Sequence, residues 1–329
     1  MVITQTPLRI SLVGGGMDLR EFYQDGPGEV ISCSIDKYIF VIIKERFDER
    51  IVLNYSRNET VDTVAEIKHE LIREAMTMTG IEKGVEISTL ADIPSEGSGL
   101  GSSSTLTVGL LNACYMFQGE QVTAERLASE ACKIEIELCG KPIGKQDQYI
   151  AAYGSMRRLT FERDGRVGIR RLPISEAVLR RFNQNLMLFY THRTRKSSEI
   201  LHEQRAQTKS RRAVLEAMLP IVERIEQALL EAKFDEVGFA LHEGWLLKKQ
   251  MAQRISDNEI DETYERALRA GALGGKITGA GGGGFLLLYV PFEKQDAVRA
   301  ALSNYYELPF LLERDGSKVI FNLKRYSLK

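Results

Sequence analysis

Residues 94–104, Pro-Ser-Glu-Gly-Ser-Gly-Leu-Gly-Ser-Ser-Ser, constrain this chain more than any other stretch of it. They separate a short alternating run, 85–90, from an apolar run, 105–117, so the chain must pass from strand to helix through a loop of three glycines. Glycine admits torsions closed to other residues, and such a loop lets several N–H groups converge on an anion at the positive end of the helix. The serine hydroxyls add neutral donors, and one of them can ligate Mg2+ without a second negative charge beside the phosphates. This segment is therefore read as a triphosphate cradle made by Pro94, Gly97, Ser98, Gly99, Leu100, Gly101, Ser102, Ser103 and Ser104. Neither common nucleotide fingerprint fits: there is no P-loop Lys-Ser/Thr pair, and Ser104 stands where a dinucleotide turn needs its third glycine.

The remaining pattern surrounds this loop with mixed elements. An opening strand, 3–13, runs into Gly14-Gly15-Gly16, and β-rich segments continue to about residue 53. A helix is expected where Val64, Ile67, Leu71, Ile72 and Ala75 keep helical spacing, and another over 123–139, stopped by Gly140 and Pro142. Strands are expected at 156–161 and 186–190, helices almost throughout 193–270 with a break at Leu219-Pro220, and a strand again at 285–290. The glycines at 279–284 formally satisfy G-x-G-x-x-G but precede a strand instead of opening a helix, so a dinucleotide turn is excluded by context. These features predict an α+β protein of two domains, residues 1–185 and 186–329, which suits a chain of 329 residues.

Charge narrows the partners. Lys plus Arg (44) nearly balances Asp plus Glu (45), so no global field draws a nucleic-acid backbone or an anionic membrane. The longest late apolar run, 285–290, is too short for a bilayer, the opening residues do not read as a signal peptide, and a cytoplasmic location is expected. Cys33, Cys114, Cys132 and Cys139 contain no C-x-x-C pair and read as reduced core thiols. No feature fixes the oligomeric state, a homodimer included.

Three motifs in fixed order carry a resemblance: Thr-Pro-Leu-Arg-Ile-Ser-Leu-Val-Gly-Gly-Gly-Met-Asp at 6–18, the loop at 94–104, and Lys-Ile-Thr-Gly-Ala-Gly-Gly-Gly-Gly at 276–284. Together they resemble the superfamily of galactokinase, homoserine kinase, mevalonate kinase and phosphomevalonate kinase. The stretches Gly-Lys-Gln-Asp-Gln-Tyr at 144–149 and Gly-Trp-Leu-Leu-Lys-Lys at 244–249 bring the chain nearest to its D-glycero-D-manno-heptose phosphate kinase branch. Met17, Glu96 and Ser155 depart from that branch's pattern.

The resemblance implies a two-domain α+β fold with ATP and sugar in the cleft, and a kinase that phosphorylates the anomeric hydroxyl of D-glycero-D-manno-heptose 7-phosphate to the 1,7-bisphosphate. The alternatives are a related kinase for galactose, fucose or an unphosphorylated heptose, and a non-catalytic sugar and nucleotide sensor. Asp147 matches the catalytic aspartate and Arg9 the basic residue aimed at the reacting centre. Glu135, twelve residues before Asp147, matches the Mg2+-binding glutamate, with Ser103 as a second ligand; Glu130 and Glu137 are competing carboxylates on the same helix. Gly15, Gly16 and Asp18 match the sugar-binding turn, and Gly281 and Gly282 would close the cleft. A basic stretch, 191–212, includes Arg193 and Arg195, which could grip a substrate phosphate bidentately.

Overall fold

In the computed structural model, which describes residues 1–94, 97–193 and 197–323, the opening strand β1 (Val2–Val13) pairs antiparallel with the 18-residue β2 (Gly28–Glu45) along nearly its whole length. The other edge of β2 is shared. Its later part pairs with β5 (Val85–Ala91), and its earlier part with β6 (Met156–Phe161). The sheet extends through β3 (Ile51–Asn54) and β4 (Asn58–Val61) at one margin and through β7 (Val167–Arg171) beside β6. A second, four-stranded sheet has the order β11 (Tyr306–Glu307), β8 (Leu186–Tyr190), β10 (Phe285–Tyr289), β9 (Gly274–Ile277). The chain then returns: β12 (Lys318–Asn322) pairs with β1, so a strand from the last part of the sequence completes the first sheet.

Side-chain alternation assigns the two faces of the first sheet. Leu8, Ile10 and Leu12 of β1 and Ile31, Cys33 and Ile35 of β2 share a core with Leu188, Leu286 and Trp245 from the later half. Val30, Val41 and Ile43 join Leu111, Ile134 and Ile150 in a second core under the helices Glu70–Thr79, Ser102–Gln118, Ala124–Cys132 and Gln146–Tyr153. The halves are further tied by Arg158 of β6, which donates to Glu29 at 2.6 Å, Glu223 at 2.7 Å and Glu226 at 2.6 Å. Among the described residues, no helix is long and apolar enough to cross a membrane, and all four cysteines are free.

Several elements differ from the sequence expectation. The helix expected from Val64 is a 3-10 turn, Val64–Glu66, followed after an extended link by the helix Glu70–Thr79, whose first turn is capped by the His69 ring. Leu219-Pro220 is the start of the helix Leu219–Leu230, where proline is well tolerated, and not a break inside one. The helix after Thr123 changes pitch, becoming π-helical over Lys133–Leu138. Ser155, at the branch's glycine position, adopts φ 66° and is held there by its N–H donating to Ser34 Oγ at 2.8 Å.

The helix Ser102–Gln118 lies directly on β1 at Gly109, whose carbonyl accepts from Thr4 Oγ1 at 3.0 Å. A Cβ there would stand 2.9 Å from Thr6 Oγ1 and 3.3 Å from Val41 Cγ2. Gly109→Leu should therefore lower the urea midpoint, by about 1–3 kcal/mol of stability, with the unfolding slope unchanged.

Candidate active site

Three consecutive residues in the first turn of the helix Gln146–Tyr153 reach three different partners, because successive helical side chains diverge by about 100°. Gln146 Nε2 donates to Asp18 Oδ2 at 3.1 Å. Asp147 receives Arg9 Nε at 2.7 Å and Arg9 Nη2 at 2.6 Å. Gln148 Nε2 donates to Glu135 Oε2 at 2.7 Å. Asp147 sits on a helix whose approach is tight, since a Cβ on Gly144 would overlap Asp18 Oδ2.

Arg9 joins this turn to the glycine loop. Only 4% exposed, it donates its remaining Nη1 to the Gly99 carbonyl at 2.7 Å, while its own backbone N–H bonds the Leu100 carbonyl at 3.0 Å. Gly97, Gly99 and Gly101 all have φ between 71° and 81°, torsions that require glycine here. Gly101 is the N-cap of the helix Ser102–Gln118, no side chain caps it, and the first N–H groups of that helix lack intrahelical acceptors. Asp147 Oδ2 lies 3.4 Å from where a Cβ on Gly101 would stand, so carboxylate, guanidinium and helix terminus meet at one point. Gly97, Ser98, Gly99, Gly101, Ser102, Ser103 and Ser104 line a cavity of about 680 Å3 together with Arg9, Asp18 and Asp147. Leu100 is buried behind it, and neither Leu100 nor Pro94 is among its lining residues. Glu96 lies outside the described residues.

At one end of the cavity Ser103 Oγ donates to Glu135 Oε1, and Lys141 Nζ stands 2.9 Å from that hydroxyl and 3.5 Å from the carboxylate. Glu135 is fully buried and lies in the π-helical segment, whose wider turn carries it toward Ser103. Neither Glu135 nor Glu137 is among the cavity's lining residues; Glu135 is singled out by its bond to Ser103, which does line it, whereas Glu130 accepts from Tyr115 and Arg126. Two oxygens gathered from a hydroxyl and a carboxylate, beside an anion-binding helix terminus, suit Mg2+, which keeps waters and phosphate oxygens for its other positions.

The opposite end carries Gly15, Gly16 and Asp18. Gly16 N–H donates to Asp18 Oδ1 at 2.9 Å, and burial, reinforced by the Asp147 charge, holds the Asp18 carboxyl above its ordinary range against these hydrogen bonds. From the later half, Gly279 packs against Gly99 and Gly281 lines the cavity, whereas Gly282 donates its N–H to Ile255 O at 2.8 Å and is not among the lining residues. Arg193 is not brought in. It forms ion pairs with Asp257 at 2.6 Å and Glu259 at 3.0 Å, and Arg195 lies outside the described residues.

Two lysines enter instead. Lys248 donates to Gly15 O at 3.1 Å and to Gln204 Oε1 at 2.8 Å, and burial pushes its pKa down to about 8. Lys276 lines the cavity without a hydrogen-bond or ion-pair partner among the described residues, and burial, with Lys248 and Arg9 adding, pushes it down to about 7. Both lie inside stretches that carry the family resemblance, yet no role was assigned to either. The readable signal was a lysine set in the buried run Gly274–Ile277.

Comparison with known proteins assigns the chain to a family. Residues 56–155 match the GHMP kinases N terminal domain, and residues 225–308 match GHMP kinases C terminal. The mevalonate kinase of Thermococcus onnurineus is 30% identical over 285 residues, 84% of this chain and 77% of that protein. The chain belongs to the GHMP kinases. This GHMP kinase is 29% identical over 335 residues to the D-glycero-alpha-D-manno-heptose 7-phosphate kinase of Campylobacter jejuni, covering 96% of this chain and 97% of that one. A crystal structure of a D-glycero-D-manno-heptose 1-phosphate kinase from Bacteroides thetaiotaomicron matches at TM-score 0.82 and 25% identity, covering 99% of this chain and 100% of that chain. This kinase is accordingly a phosphotransferase with an alcohol acceptor, of a family that uses ATP as phosphate donor.

The buried Lys276 generates a pH signature. Between about pH 7 and its ordinary value near 10.4 the unfolded chain holds a proton that the folded chain has released, so stability rises with pH across that window. In the absence of ligand, Lys276→Met should melt higher than wild type at pH 7, and the gap should shrink as the pH approaches 10. Equal melting curves at every pH would contradict the burial of this charge.

Proposed function

We propose that this kinase transfers the γ-phosphoryl group of ATP to the anomeric hydroxyl of D-glycero-D-manno-heptose 7-phosphate, yielding ADP and the 1,7-bisphosphate. The observation that carries the reading is the Asp147 carboxylate, fixed by two of the three guanidinium nitrogens of a buried arginine at the rim of the glycine cradle. Full-length similarity to a heptose 7-phosphate kinase supports the acceptor.

Residues 1–185 supply the cradle, Asp18 and Asp147 in this reading, and residues 186–329 supply the closing glycine loop. The triphosphate lies along the N–H groups of residues 97–104, where the helix dipole and the loop donors favour negative charge. Ser103 and Glu135 would hold Mg2+, which neutralises charge on the phosphates when bound. Asp18, braced by Gly16 and Gln146, accepts hydrogen bonds from sugar hydroxyls and sets the ring orientation.

The acceptor oxygen forms its bond to the γ-phosphorus as the bond from that phosphorus to the β,γ-bridging oxygen breaks, and the hydroxyl proton passes to Asp147. In a loose transition state most of the protein's contribution is alignment and charge placement, and a rigid aspartate suffices for the proton. Arg9 serves twice: it fixes Asp147 and places a positive charge beside the transferring group.

Asp147→Asn should lower kcat by about 10²–10⁴ while ATP still binds by calorimetry. An ADP-release assay over heptose 7-phosphate, galactose, fucose and mevalonate, with the product read by phosphorus NMR, tests the acceptor. Turnover on another member and none on the heptose phosphate would overturn that assignment, and an Asn variant with wild-type kcat would overturn the role of Asp147.

A further inference from the structure

We propose that Lys248 and Lys276 form the subsite that grips the acceptor's own phosphate group. The proposal deepens the kinase reading above and rests on it. It also replaces Arg193, whose guanidinium is occupied by Asp257 and Glu259.

Backbone packing brings the two lysines together. Lys248 ends the helix Phe234–Lys249, and Lys276 lies on β9. β9 rests on that helix with glycine against glycine, since a Cβ on Gly274 would overlap the Gly238 carbonyl. Both side chains line the cavity, Lys248 with its ammonium on the Gly15 carbonyl, and the Lys276 ammonium is close enough to sense the charges of Lys248, Arg9 and Asp18.

Neither ammonium has a carboxylate partner. Lys248 is held by two neutral oxygens, and Lys276 has no partner among the described residues, although both are only 6% exposed. The nearby carboxylates are already engaged: Asp147 by Arg9, and Asp18 by Gly16 and Gln146. With both lysines protonated, three cations at the sugar end, Arg9, Lys248 and Lys276, face two carboxylates, Asp18 and Asp147. Buried charge without a partner is costly, and a dianionic phosphate would supply the missing negative charge. Ser11, only 4% exposed, also lines the cavity, and its buried Oγ has no hydrogen-bond partner.

A phosphoryl group could also come from ATP, whose γ-phosphate approaches from the cradle. The charge distribution favours the acceptor's phosphate, because Lys248 bonds Gly15 of the turn that carries Asp18, while Arg9 and residues 97–104 already line the ATP end.

The test pairs phosphorylated and unphosphorylated acceptors: D-glycero-D-manno-heptose 7-phosphate against D-glycero-D-manno-heptose, and mannose 6-phosphate against mannose. Wild-type enzyme, Lys276→Met, Lys248→Met and the milder Lys248→Gln are assayed for kcat and KM. Wild type should prefer a phosphorylated member. Each variant should lose that preference at least ~10-fold through KM for the acceptor, the loss expected for one charge-assisted contact, with a smaller change in KM for ATP. Heptose 7-phosphate without ATP should raise the melting temperature of wild type and not of Lys276→Met, a readout independent of turnover.

Preference for mannose 6-phosphate over the heptose phosphate would support the subsite while overturning the heptose assignment. Preference for the unphosphorylated sugars, or variants that raise KM for ATP and keep the acceptor preference, would overturn the subsite and leave the kinase reading in place.

Discussion

The ion pair between Arg9 and Asp147 is the joint on which the site depends. The Arg9 guanidinium rises from β1, which is paired along nearly its whole length with the central strand β2, and is bonded on three sides by two carboxylate oxygens and the Gly99 carbonyl. A planar fork with fixed donors can hold strand, loop and helix in one relative position, which a lysine could not do. Through it the sheet dictates where the cradle stands relative to the aspartate. The neighbouring residues extend the same device: Gln146 ties the turn that carries Asp18 to this helix, and Gln148 ties in Glu135.

Charge is graded along the cavity. Near the glycine loop, Lys141 balances Glu70 and Glu135; at the centre, Arg9 balances Asp147; beside the turn that carries Asp18, two lysines accompany its single carboxylate. In the proposed reading a donor triphosphate and an acceptor anion would meet separate positive regions, with Asp147, held by Arg9, between them. Burial sharpens each contrast, raising the Asp18 carboxyl and lowering both lysines. Close backbone contact between Gly99 and Gly279 joins the two halves across this gradient, and Thr278 Oγ1 adds a bond to Ser98 O at 3.2 Å.

What could be read from the sequence was local. The cradle announced itself through glycines that the observed positive φ values require, and β1, β5, β6, β8 and β10 through alternation and apolar runs. Features set by distant partners could not be read in this way. β9 contains two glycines and a lysine and becomes a strand only by pairing with β10, and β12 is defined by its register with β1 some 320 residues away, Val2 facing Asn322. The π-helical turn at Glu135 leaves no compositional trace. Arg193 looked like a phosphate ligand because local charge density cannot show that Asp257 and Glu259 are waiting for it across the fold, while Lys276 stood at the head of a glycine-rich motif in a stretch with no strand signal of its own.

The most direct measurement is a structure of the wild-type kinase with a non-hydrolysable ATP analogue, Mg2+ and D-glycero-D-manno-heptose 7-phosphate. The account predicts the acceptor hydroxyl within hydrogen-bond reach of Asp147, about 2.6–3.2 Å, and in line with the γ-phosphorus. An acceptor hydroxyl directed away from Asp147, with the aspartate engaged by Arg9 alone, would contradict it.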